Sequence, residues 1–273
     1  MKKTPKPRDT VQRLKETIHK QPAVFAVYVA LRLIVLAELV MSIIRGEYES
    51  AFICLLVLAL FILPFFIQQN FGIQLPSVLE IIILLFIFAA EILGELECYF
   101  ITYPNWDSML HTTTGFLCAA TGFALIDILN RNSRIKFQLS PVYVALAAFC
   151  FSMTVGVLWE FFEFGMDWFF HSDMQRDTVI NAIYSASLDP TRSNKVVAVK
   201  GIYDVVINGE ELGMGGYLDI GLYDTMGDLI VNLIGAVVFS VIGYFHQKHR
   251  KKSVVTQLFV PQVDEKEEDV QHE

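Results

Sequence analysis

Residues 159–167 read WEFFEFGMD and set Glu160, Glu163 and Asp167 inside an apolar run from Val142 to Phe170. Their i, i+3, i+7 spacing places the three carboxylates on one helical face. Other apolar runs carry similar groups. Glu91 and Glu95 are four apart, as are Asp107 and His111 in NWDSMLH, and Asp224, Asp228 and Asn232 follow at i, i+4 and i+8. A charge within a bilayer costs about 2.5–3.5 kcal/mol on insertion scales, so such side chains face a cavity or a partner rather than lipid. Eight carboxylates set against one imidazole cannot all stay ionised in a low-dielectric site. Either several hold protons or a cation sits among them. Carboxylate and imidazole donors suit Mg²⁺, Mn²⁺, Fe²⁺ or Zn²⁺, and oxygen-rich sites favour the harder ions. The candidate cation or proton site is therefore Glu91, Glu95, Asp107, His111, Glu160, Glu163, Asp167, Asp224 and Asp228. Of these, Asp107, Asp167 and Asp224 lie near the ends of their runs, where solvation or helix capping serves as well; Asp219 reads as a cap.

The elements that must position these groups are membrane spans. The chain has 273 residues, 54% of them hydrophobic, including 22 Phe, and a mean hydropathy of +0.47. Apolar runs long enough to cross a bilayer recur along it. Six are predicted, at roughly 23–44, 51–68, 77–100, 107–129, 142–170 and 217–245, which makes the chain an all-α polytopic membrane protein. Basic residues fix the predicted orientation. Lys2, Lys3, Lys6, Arg8, Arg13, Lys15 and Lys20, the loop with Arg131, Arg134 and Lys136, and Lys248 to Lys252 all fall on one side, which the positive-inside rule makes cytoplasmic. Both termini are then cytoplasmic, in a bacterial inner membrane. Residues 1–22 are expected to form a basic tail, 23–245 the membrane domain, and 246–273 a solvated tail, first basic and then acidic. With a rise of about 1.5 Å per residue, Glu91, His111, Glu160 and Asp228 lie roughly 9–17 Å below the outer surface.

The long outer segment, 171–216, contains YDVVINGEELGM. Asn208-Gly209 between extended residues predicts a two-residue β-hairpin, because both positions accept positive φ. Cys54, Cys98, Cys118 and Cys150 form no CxxC and read as small apolar helix residues. Gly115, Ala119, Gly227, Gly235 and Gly243, at multiples of four or eight, predict close helix approach. No HExxH, GxSxG or phosphate-gripping glycine loop occurs. The segregated charge gives no support to nucleic-acid binding; membrane lipids, and a small ligand or lipid at the site, are the expected partners.

WDSMLH, WEFFEFGMD and DIGLYDTMGDLIVNLIGA resemble the signature segments of the YjdF-type bacterial inner-membrane proteins, over most of residues 20–250. A more distant resemblance is to VanZ-like membrane proteins. Asp107 and His111 match one helix start of that pattern, Glu160 a second element, and Asp228, Asn232 and Gly235 a third. Glu163 stands where that pattern has Gln, and its Arg before the third element has no counterpart. The resemblance implies a shared site architecture rather than a named reaction. Three functions are compatible with these residues. One is an outward-facing site that binds a cation or relays protons in transport or envelope function. Another is a metal-dependent enzyme acting on a lipid or cell-envelope precursor. The last is a non-catalytic assembly protein.

Overall fold

A computed structural model describes residues 22–71, 73–131, 139–249 and 254–263. The chain is all-α, and among the described residues six helices are long and apolar enough to cross a membrane: Pro22–Arg45, Tyr48–Gln68, Ser77–Leu96, Trp106–Asp127, Pro141–Phe170 and Leu222–Lys248. All six fall on the apolar runs of the sequence. The basic tail up to residue 21 and the basic loop 132–138 lie outside the described residues. The chain divides into two compact units, residues 1–153 with 231–273, and residues 154–230.

The first unit starts with α1 (Pro22–Arg45), α2 (Tyr48–Leu60) and α3 (Leu63–Phe71), then β1 (Ile73–Gln74) and α4 (Ser77–Phe88). Helix α4 runs into a π-helix, Ala89–Leu96. It is closed by Cys98 in the left-handed region (φ 55°) and followed by α5 (Tyr99–Thr102). The predicted third span therefore ends four residues early, and its last two turns are wider than α-helical. Gly94 gives room to the Phe100 ring, which a Cβ there would strike. Val35, Cys54, Val57, Phe61, Leu84 and Ile92 form one buried core.

A second core lies where α6 (Trp106–Arg131), the first half of α7 (Pro141–Phe170) and the second half of α8 (Leu222–His249) pack. It contains Ala119, Phe123, Val144, Ala148, Ala236 and Phe239. Two glycines bring α6 and α8 together. A Cβ on Gly115 would collide with the Asn232 carbonyl, and one on Gly235 with the Thr112 carbonyl. Gly243 likewise accommodates the Phe123 ring, whereas Gly227 faces open space and is not part of this contact.

The expectation of a solvated C-terminal tail needs correction. After α8 come α9 (Val254–Phe259) and β8 (Gln262–Val263), and β8 pairs antiparallel with β1, Ile73 opposite Val263. Val260 is fully buried in the second core beside Leu75 and Leu79. The Phe259 ring packs edge-on to Phe116 with centroids 5.6 Å apart. The run VVTQLFVP is apolar enough to gain from burial but too short to register as a span.

The second unit holds the ends of α7 and α8 and the segment between them. Three small antiparallel ladders order that segment: β2 (Val179–Ile180) with β7 (Tyr217–Leu218), β3 (Ala182–Ser185) with β4 (Val197–Lys200), and β5 (Val206–Ile207) with β6 (Glu210–Glu211). The last is the expected hairpin, with Asn208 at φ 55° and Gly209 at φ 92°. Asp189 ties down the β3–β4 connection. It accepts hydrogen bonds from the backbone N–H and hydroxyl of both Thr191 and Ser193, and from the Lys195 N–H. The Thr191 hydroxyl leads the bonds that hold this carboxyl below the ordinary aspartate range.

Candidate functional site

In the first unit, Asp107 and His111 sit one turn apart at the start of α6, with His Nε2 3.6 Å from the Asp107 carboxylate. His111 is buried and Asp107 half-buried. One turn further along α6, three helices are locked together. The Ser152 hydroxyl of α7 donates to the Gly115 carbonyl at 2.7 Å. Asn232 of α8 is 1% exposed, and its amide lies 3.5 Å from the Met153 sulfur. Glu91 and Glu95 lie in the π-helix, Glu91 half-buried and Glu95 exposed. The Trp106 indole N–H donates to the Ala89 carbonyl at 3.3 Å, joining the π-helix to the start of α6. Composition gave no sign of the π-turn; AAEILGEL fits an α-helix equally well.

In the second unit, Glu160, Glu163 and Asp228 are 4%, 6% and 3% exposed. The Trp159 indole N–H donates to Glu163 Oε1 at 2.7 Å.

Asp167, Asp219 and Asp224 have a different occupation. Asp167 accepts from the Met174 and Gln175 backbone N–H groups at 2.7 and 2.8 Å, and from the Ser172 hydroxyl at 2.8 Å. Asp224 accepts from the Arg176 N–H at 2.9 Å. Asp219 accepts from the Thr178 N–H at 2.5 Å and from the Tyr223 N–H at 3.1 Å, the latter as a helix cap. These three carboxylates hold the segment Ser172–Thr178, through the Ser172 hydroxyl and the backbone N–H groups of Met174, Gln175, Arg176 and Thr178. The spacing of Asp167 and Asp224 put them on the acidic faces but could not show this engagement, which depends on where the following loop returns.

Asp177 lies within the same strap. Burial leads the causes that push its carboxyl up, followed by the charges of Asp173, Asp219 and Asp167. A raised folded pKa means stability is full below the unfolded pKa and declines as pH rises through the folded one. Asp177→Asn keeps an acceptor for the Gly221 N–H and removes the repulsion. It is expected to slow proteolysis and hydrogen exchange of residues 172–178 at neutral pH and to leave both unchanged near pH 3. Equal protection of both forms at neutral pH would refute this.

The described residues thus include buried side chains whose donors suit a metal ion, His111 in the first unit and Glu160, Glu163 and Asp228 in the second, with half-buried Asp107 beside His111. Six apolar helices with this buried acid and imidazole complement define a polytopic membrane protein with ionisable side chains in its spans. Residues 27–249 match the family described as Predicted membrane protein (DUF2238), and the chain belongs to that family. No curated protein and no solved structure matches the chain.

Proposed function

We propose that this protein holds a divalent cation within the membrane, on His111, Glu160, Glu163 and Asp228, with Asp107 orienting the imidazole. The carrying observation is the burial of all four of those ligand side chains within apolar spans. Helix continuity supports it. On their own helices His111 lies one turn from Gly115 and Asp228 one turn from Asn232, both toward the N-terminal end, and Glu160 lies two turns from Ser152, toward the C-terminal end. The acidic strap residues Asp167, Asp219 and Asp224 are left out of this site because backbone N–H groups occupy them. The hard carboxylate donors favour Mg²⁺ or Mn²⁺, and one imidazole admits Fe²⁺ or Zn²⁺. The VanZ-like resemblance rests on Asp107, His111, Glu160 and Asp228 of this set, with Glu163 departing from its pattern, and the YjdF-type segments contain all five. By the positive-inside rule the site opens to the outer face of a bacterial inner membrane.

One observation favours a one-sided site over a translocation path, and with it the reading of a metal-dependent enzyme on a lipid or envelope precursor. The other half of α6 and α8 is packed shut in the first unit by Phe123, Phe239 and the inserted Val260. Metal analysis of the purified full chain tests the cation. About one bound ion per chain is expected, lost in His111→Ala and in Glu160→Gln. Unchanged metal content in both variants would refute the site.

A further inference from the structure

The mid-span position of Arg32 is unexplained by the acidic site. It lies ten residues into α1, roughly 15 Å along the helix from Pro22. Its guanidinium sits 4.1 Å from the centre of the Tyr28 ring, one turn toward the helix N-terminus. Helical side chains lean that way, so Arg32 reaches toward the membrane surface at which α1 begins. Among the described residues its buried Nε has no hydrogen-bond partner, and no carboxylate forms an ion pair with it. Glu38, the one acidic residue of α1, is turned to Arg45 at 3.9 Å. A permanent cation in a span calls for an anion.

The neighbouring helix supplies a second charge. Helices α1 and α4 pack through Leu31, Val35, Leu84 and Ile87. Glu80, one turn into α4, acts electrostatically on the same Tyr28 phenol as Arg32 does. Its carboxylate accepts from the Gln68 amide at 3.2 Å. A guanidinium and a carboxylate that flank one tyrosine without pairing present separated opposite charges at the same end of the bundle.

We propose that Arg32, Tyr28 and Glu80 form a headgroup site for an amine-bearing phospholipid, with the phosphate on the Arg32 guanidinium and the ammonium on the Glu80 carboxylate. Guanidinium geometry matches phosphate oxygens, and the leaflet at this surface supplies the ligand at high local concentration. Native mass spectrometry of the delipidated full chain tests it, with phosphatidylethanolamine, phosphatidylglycerol and inorganic phosphate as probes. Wild type is expected to retain phosphatidylethanolamine at least tenfold more tightly than phosphatidylglycerol. Arg32→Gln should lose at least tenfold for both lipids, and Glu80→Gln should erase the preference while still retaining lipid. Retention by Arg32→Gln equal to wild type overturns the site. Should Arg32→Gln fail to fold, Glu80→Gln decides alone: an unchanged preference overturns the proposal. Displacement of lipid by equimolar inorganic phosphate would overturn the lipid as the ligand.

Discussion

Glu160→Gln is expected to stabilise the chain stripped of metal and to erase the stabilisation that a divalent cation gives wild type. Glu160 is 4% exposed. An ionised carboxylate there bears a desolvation cost, and its acidic neighbours on α7 and α8 add repulsion. Glutamine keeps the shape and removes the charge, so the metal-free variant should melt higher than metal-free wild type. With a cation at 100 times its dissociation constant, wild type should gain about 2.7 kcal/mol by mass action. The variant lacks that ligand and should gain far less. His111→Ala should also lose the metal response, but without the gain in the metal-free state, because it deletes the imidazole and leaves the carboxylates facing one another. Thermal unfolding in detergent, with EDTA and then with Mn²⁺, separates these cases. A Glu160→Gln variant that responds to Mn²⁺ as wild type does would sink the cation reading.

Three glycine-to-alanine substitutions should divide by where the added methyl group goes. In Gly115→Ala the new Cβ meets the Asn232 carbonyl, and in Gly235→Ala it meets the Thr112 carbonyl. Backbone cannot swing aside as a side chain can, so α6 and α8 must separate. Overpacking typically costs about 1–3 kcal/mol, and here the separation also strains the Ser152–Gly115 bond, which should bring the cost to the top of that range. Gly227→Ala places its methyl in open space on the same helix. It should be neutral or gain up to about 1 kcal/mol from helix propensity. Melting temperatures of the three variants in one detergent test the contrast. Equal stability of Gly115→Ala and wild type would show that the helices do not approach this closely.

The spans were legible because twenty apolar residues in a row have few other uses, and all six appear, with ends within three residues except at Leu96, four early, and Leu222, five late. The burial of His111, Glu160, Glu163 and Asp228 followed from helical spacing and depth. The Asn208-Gly209 hairpin was legible because its turn needs positive φ at both residues. The π-helix was not, since its backbone register depends on Phe100 folding onto Gly94 and Trp106 reaching the Ala89 carbonyl. Nor were the ladders of Ala182–Ser185 with Val197–Lys200 and of Val179–Ile180 with Tyr217–Leu218, whose strands are short and far apart in sequence. The backbone bonds of Asp167 and Asp224 were hidden for the same reason: N–H groups carry no identity in the sequence.

The insertion of Val260 beside Leu75, Leu79 and Phe239 bears on the order in which the protein matures. Residues 22–249 emerge from the ribosome ahead of residue 260 and can begin to partition into the bilayer first. Until then the pairing surface at Ile73–Gln74 stays open. Completion of the first unit is thus a post-insertion event, and a chain that stalls or is clipped near residue 250 would sit in the membrane with all six spans and an unsealed core. Such a chain would offer membrane quality control an apolar cleft to recognise, even though every span is in place.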